Sequence, residues 1–259
     1  MRQVMGAAAL CVGVLGPGAV AQERVDLELV LLADASRSID DAEIRFQRQG
    51  YAAALIHPEI LGAIAQGYDQ RIAVTYVEWG DASSQEVVVP WTIVDRPQSA
   101  AAFADALLEA PREAYGMNAI GTAIAVAQGL IETNRIDGYR RVIDLSADSA
   151  NSFGGIPLAE ARASALANDI VINGLAVLCR EQDCTGRPNR YDLEAAFAST
   201  IIGGPGSFVV TADGDDQFAA AVRRKLLLEI AGVTPDAGAP GTRLASRADR
   251  DAEPAMPGP

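Results

Sequence analysis

The stretch Leu27–Leu32 is apolar apart from Glu28, and it stops at Asp34-Ala35-Ser36-Arg37-Ser38. An apolar run of strand length, followed by a helical pattern, fits a strand buried on both faces of a parallel sheet. Polar residues ending such a strand lie at the carboxyl edge, where open α/β sheets bind their ligands. Along an extended segment, side chains at i, i+2 and i+4 share a direction. Asp34, Ser36 and Ser38 then present one carboxylate and two hydroxyls to one point. Oxygen-only ligands suit a hard cation such as Mg²⁺. A competing reading gives these residues capping duty alone. Ser38 stands three before Asp41 and Asp40 three before Glu43, both near capping-box spacing. Capping accounts for one or two polar residues, but not for Asp34 and Ser36 at the end of a buried strand.

Further along, Ile39 to Leu55 reads as a helix stopped by Pro58. His57 is the only histidine and falls in the exit turn, so a multi-histidine metal site is excluded and nothing places an imidazole near Ser36. Arg71 to Trp79 and Glu86 to Val94 read as a hairpin around Gly80-Asp81-Ala82-Ser83-Ser84, with Pro90 marking an edge strand. Ser99 to Leu108 is helical. Ile120, Ile124, Ala127 and Ile131 share a helical face, and Asn118 stands at the expected N-cap. Arg141 to Leu145 is a second buried strand, and it too runs into an acid, Asp148. Helix 158–167, strand 170–178, helix 191–199, strand 207–210 and helix 215–231 complete the pattern. This alternation predicts a doubly wound, mostly parallel α/β sheet of about six strands, helices on both faces and one antiparallel edge strand.

The termini read differently. Arg2, the apolar segment Val4 to Leu15 and Ala19-Val20-Ala21 form a secretory signal peptide over residues 1–21, too short for a spanning helix. An uncleaved anchor is the alternative. The domain is expected over 22–232, followed by a Pro/Gly/Ala-rich disordered tail over 233–259. Removing residues 1–21 takes away one Arg and no acid, so the net charge of −13 becomes −14. Such acidity argues against nucleic acid and anionic membrane surfaces as partners. Cys179 and Cys184, separated by a four-residue loop in an exported chain, suggest a local disulfide, with two free thiols as the alternative. No dinucleotide GxGxxG or phosphate-binding GxxxxGK[ST] occurs.

A buried strand ending in Asp-x-Ser-x-Ser, a Gly-containing loop entering a mid-chain helix and a later strand ending in Asp148 together resemble the von Willebrand factor type A (VWA) domain. The likeness spans residues 24–232. The segments DASRSID, Ile56-His57-Pro58 and Val77-Glu78-Trp79 are similar to a bacterial exported branch, the DUF1194 family. The resemblance implies a metal-ion-dependent adhesion site (MIDAS). Mg²⁺, or Mn²⁺ or Ca²⁺, would be held by Asp34, Ser36 and Ser38 from the first loop and Asp148 from the third. The family's second loop usually reads Thr-x-x-Gly-x-Ala. Here Gly121 and Ala123 align and Asn118 takes the threonine's place, with Thr122 one turn later as an additional ligand. Asn offers a carbonyl oxygen to a hard cation. The resemblance further implies a periplasmic or secreted binding module, not an enzyme, that recognises an Asp or Glu carboxylate of a protein partner. Two other readings remain: a scaffold that binds partners without metal, and a metal-assisted hydrolase, for which the sequence supplies no evident general base.

Overall fold

The computed structural model describes residues 22–178, 191–235 and 241–244. The expected leader at 1–21, Cys179 and Cys184, and the end of the chain from residue 245 lie outside the described residues. In chain order the elements are β1 (Glu23–Val25), β2 (Leu27–Asp34), α1 (Asp41–Leu55), α2 (Pro58–Ala65), β3 (Ile72–Trp79), β4 (Gln85–Val94), α3 (Pro97–Glu109) and α4 (Ile120–Thr133). They continue with β5 (Ile136–Gly138), β6 (Arg141–Ala147), α5 (Leu158–Ala167), β7 (Ile170–Leu178), α6 (Leu193–Thr200), β8 (Phe208–Asp213), α7 (Asp215–Ala231) and β9 (Thr242–Leu244).

Seven strands form the main sheet in the order β4-β3-β2-β6-β7-β8-β9, and β1 pairs with β5 in a small parallel sheet beside it. All eight residues of β2 are buried, as a central strand demands. The apolar side chains of β2 divide by parity. Leu27, Leu29, Leu31 and Ala33 pack in the core with α1, α2, α3 and α7, whereas Val30 and Leu32 pack with α4, α5 and α6. Burial of this alternating set against two helical layers supplies the main driving force for the fold. The sheet is parallel from β3 through β8, and β4 is antiparallel at one edge, where Pro90 is tolerated.

Three details differ from the sequence expectation. Residues Pro58–Ala65 form a short helix, which the Pro58 signal conceals because proline at a first helical position starts a helix as readily as it ends one. His57 caps that helix, accepting from the Glu59 backbone N–H at 3.3 Å. At the other end of the chain, Thr242–Leu244 form a seventh strand, antiparallel to β8. The disordered tail expected from residue 233 is therefore corrected at these residues, and the sheet has a second antiparallel edge. Edge strands need few apolar residues, so a Pro/Gly-rich composition hides one.

Two ionic groups sit inside the core on the α1/α7 face. Arg48 of α1 forms a bidentate pair with Glu78 of β3, Nε to Oε1 at 2.7 Å and Nη2 to Oε2 at 2.9 Å. Lys225 of α7 lies 2.5 Å from both Asp144 of β6 and Glu229 of its own helix. Asn173 of β7 donates to Glu229 at 2.9 Å. Burial and the Asp144 charge push Glu229 up to about 8. Among the described residues no helix is long and apolar enough to cross a membrane.

Candidate metal centre

The chain order of the sheet reverses between β2 and β6, the place where open α/β sheets form a ligand crevice at the carboxyl edge. Asp34 is the last residue of β2, and Asp148 follows directly on β6. The loop after β2 turns sharply: the Ser36 N–H donates to Asp34 Oδ1 at 2.8 Å, and the Ser36 and Ser38 hydroxyl oxygens lie 3.4 Å apart. Asp34 and Ser36 are buried, Ser38 is exposed and Asp148 is half-buried. The four residues read from the two strand ends thus share one crevice.

Two acids meet at the site, and the pKa of each is raised. Burial, then the Asp148 charge, pushes Asp34 up to about 8, while hydrogen bonds from Ser36 and the Asp148 backbone act the other way. Asp148 is also raised, first by burial and then by the charge of Glu43, with a hydrogen bond from Ser38 opposing. No cationic side chain is among these leading influences. Among the described residues, Asp34 Oδ2 and Asn118 Oδ1 are buried without a hydrogen-bond partner. Orphaned acceptors of this kind are uncommon in a folded interior and point to a missing ion or water. A hard divalent cation fits them: the donors are carboxylate, hydroxyl and amide oxygens. Among the described residues no three His, Cys, Asp or Glu side chains cluster as a metal site, so hydroxyl and amide oxygens must complete any coordination here.

The capping reading accounts for Asp40 alone. Its carboxylate accepts from the N–H groups of Ala42 and Glu43 at 2.7 and 2.9 Å, and Glu43 Oε2 accepts from the Asp40 N–H at 2.7 Å. Asp34 and Ser36 take no part in that cap. Asn118 does not cap α4 as the sequence suggested. Ala119 occupies the N-cap position and has no side chain that could cap, and the Ser152 hydroxyl accepts from the Gly121 N–H of the first turn at 3.2 Å. The Asn118 carbonyl instead accepts from the Phe153 N–H at 2.6 Å, which ties the second loop to the third. Thr122 is engaged in the same way, its hydroxyl oxygen accepting from the Ile156 N–H at 3.1 Å.

Several residues that the sequence did not single out hold the loops. Arg112 donates from Nη2 to the carbonyls of Ala35 and Ile39, both at 2.9 Å, and from Nη1 to Asp41 at 2.8 Å. The Arg37 N–H donates to the Gly116 carbonyl at 2.8 Å, joining the first loop to the second. Gly80 and Gly121 permit close backbone approach. A Cβ on Gly80 would stand 2.0 Å from the Tyr115 carbonyl oxygen, and one on Gly121 would stand 2.1 Å from that of Ile156. No periodic signal marks such contacts, because they join segments far apart in the chain.

Solved structures with this architecture are VWA domains and proteins that contain regions of this fold. A von Willebrand factor type A protein from Catenulispora acidiphila superposes with a TM-score of 0.54 at 16% identity, over 80% of this chain and 43% of that one. The pilus adhesin SpaC from Lactobacillus rhamnosus GG gives 0.56 at 12% identity, over 81% of this chain and 31% of that one. Proximal thread matrix protein 1 from the mussel byssus, solved with a zinc-occupied MIDAS motif, gives 0.55 at 14% identity, over 82% and 49% of the two chains. The chain spans less than half the length of each of these proteins. The fold is that of a VWA domain. No curated protein matches the chain. A family model described as a protein of unknown function, DUF1194, matches residues 24–234, and the chain belongs to that family.

Proposed function

We propose that this protein is an exported binding module that recognises a protein partner through a divalent cation at the carboxyl edge of its sheet. The observation that carries the proposal is that Asp34, Ser36, Ser38 and Asp148 lie together at the strand ends, where Asp34 Oδ2 and Asn118 Oδ1 are buried without a hydrogen-bond partner among the described residues. Asp34, Ser36, Ser38, Asn118 and Asp148 are the candidate ligands. Mg²⁺ is the ion we favour for an all-oxygen site, with Mn²⁺ and Ca²⁺ as competitors. The bound cation supplies Lewis acidity toward a carboxylate. The chain's own residues would orient the ion, and the two acids would balance its charge. An Asp or Glu carboxylate of the partner would fill a coordination position that the chain's oxygens leave to water. The leader-like sequence at 1–21 supports export to the periplasm or beyond.

Binding is favoured over catalysis. The single imidazole, His57, lies beyond the far end of α1, about 20 Å along the helix from the site. Both acids of the crevice are committed to the ion, which leaves no general base. Calorimetric titration of Mg²⁺ and Mn²⁺ into chelator-stripped protein tests the site. Saturable binding that is lost in Asp148→Ala is expected. Absence of binding by the unmodified protein, with and without an added acidic peptide, would discard the proposal.

A further inference from the structure

The loops around the metal centre carry an unusual share of the molecule's exposed apolar side chains. Tyr115, Met117, Phe153, Ile156 and Tyr191 are each 38–53% exposed. Each is tied to the site by a contact already in the loop framework. The Arg112 guanidinium that holds the Ala35 and Ile39 carbonyls stacks 4.7 Å over the Tyr115 ring. Met117 stands between Gly116 and Asn118, whose carbonyls accept from Arg37 and Phe153. The Ile156 N–H donates to Thr122, and the Tyr191 hydroxyl accepts from the Ala150 N–H at 3.0 Å, two residues past Asp148. The five residues therefore belong to the loops around the site: the second loop, the third loop and the turn before α6.

Arg37 adds a charge to the same border. It lies between the two candidate serine ligands, its side chain is exposed, and it makes no ion pair or side-chain hydrogen bond with any described residue. In a chain of net charge −13, an exposed guanidinium without a partner among the described residues, beside a cation site, selects for an anion. Apolar side chains held half in water by hydrogen-bonded loops give contact area at small ordering cost, as the centres of protein interfaces do.

We infer that the partner is a protein segment in which an Asp or Glu is flanked by aromatic or aliphatic residues. The carboxylate enters between the metal and Arg37, and its apolar neighbours lie on Met117, Phe153, Ile156 and the two tyrosines. This inference rests on the metal-dependent reading above and adds the chemistry of the partner to it. Scattered acidic surfaces are excluded as ligands, because they would leave the apolar border in water.

A displayed library of seven-residue peptides, captured by the Mg²⁺-loaded protein and eluted with EDTA, tests the inference. Enriched peptides are expected to carry one acid with an aromatic or aliphatic residue within two positions. Met117→Ser/Phe153→Ser should bind an enriched peptide at least tenfold more weakly, while its Mg²⁺ titration matches that of the parent. Arg37→Gln should weaken the same peptide without abolishing metal binding. Enrichment of acids among polar neighbours, no EDTA-eluted enrichment by metal-loaded protein, or a double variant that binds as the parent does would each overturn it. Failure of the parent protein to bind metal would instead remove the reading on which the inference stands.

Discussion

Asp34 ends β2 and Asp148 directly follows the neighbouring parallel strand β6, and burial together with the Asp148 charge pushes Asp34 up to about 8. Without a cation the pair is a source of instability at neutral to alkaline pH.

The pH dependence follows from that pair. The folded-state pKa of Asp34 lies above its ordinary value of 3.8, so between these values the folded protein binds a proton that the unfolded chain has released. Stability conferred by the protonated acid is full below the lower value and is lost as pH rises toward the upper one. Metal-free protein should therefore melt lower at pH 8 than at pH 5 through this group, and Mg²⁺ should raise the melting temperature more at pH 8. Asp34→Asn should melt about 2–4 °C higher than metal-free parent protein at pH 8, corresponding to about 1 kcal/mol in a domain of this size, and should ignore Mg²⁺. Calorimetric melts at the two pH values check all three outcomes.

Arg112 positions the first loop from outside the crevice. Arg112→Ala removes its donors to the Ala35 and Ile39 carbonyls and its pair with Asp41. A loss of about 1.5–3 kcal/mol is expected for charged hydrogen bonds of this kind, concentrated in the loop. Mg²⁺ affinity should fall roughly tenfold, with far-UV circular dichroism unchanged. Equal affinity in the variant would remove Arg112 from the positioning set.

Gly121 sits where the third loop crosses α4. An added methyl group would stand 2.1 Å from the Ile156 carbonyl oxygen and 2.9 Å from the Leu158 nitrogen, both backbone atoms. Gly121→Ala must push that loop away and disturb the Ser152 hydroxyl that accepts from the Gly121 N–H at 3.2 Å. Overpacking should cost about 1–3 kcal/mol in urea unfolding and weaken metal binding with it. Gly129, on the same helix, has nothing within 4 Å, so Gly129→Ala is the control and should be neutral or slightly stabilising.

Lys225 separates two buried acids. Lys225→Met should cost about 3–5 kcal/mol, because Asp144 and Glu229 are left without a counter-charge. Glu229→Gln removes the surplus carboxylate while keeping an acceptor for Asn173. Burial raises the Glu229 pKa, so the parent loses stability as pH climbs toward 8 and the Gln variant should not. Urea midpoints at pH 6 and pH 9 should therefore cross, with the parent equal or ahead at the lower pH and the variant ahead at the higher.

The sequence was legible wherever one physical pattern dominated. The doubly buried run of β2, the apolar face of α4 and the Pro90 edge each follow from a local period or a missing donor, and the structure agrees with them. The candidate ligands Asp34 and Asp148 stand out in the sequence for the same reason, since acids at the ends of apolar strands are conspicuous, and the structure brings the two together. Arg112, Arg48 with Glu78, and Lys225 were not, because a charged residue within a helix or loop reads as solvent-facing until its partner is known. Asn118 was placed as a cap by its residue type. The helix starts one residue later, because its first turn packs against the Gly80 loop, whose carbonyl accepts from the Ala119 N–H at 2.9 Å.

Strand β9 has a practical meaning for anyone producing this domain. A boundary drawn at residue 234, where composition and the family match both end, removes Gly241–Leu244 and strips β8 of the pairings Phe208–Leu244, Val209–Arg243 and Val210–Thr242. The outer rim of the sheet would then offer open donors and acceptors to any passing strand, a second molecule included. Strand β9 covers an edge that could otherwise pair with another strand, and a truncated preparation is expected to form dimers or precipitate more readily than the longer one.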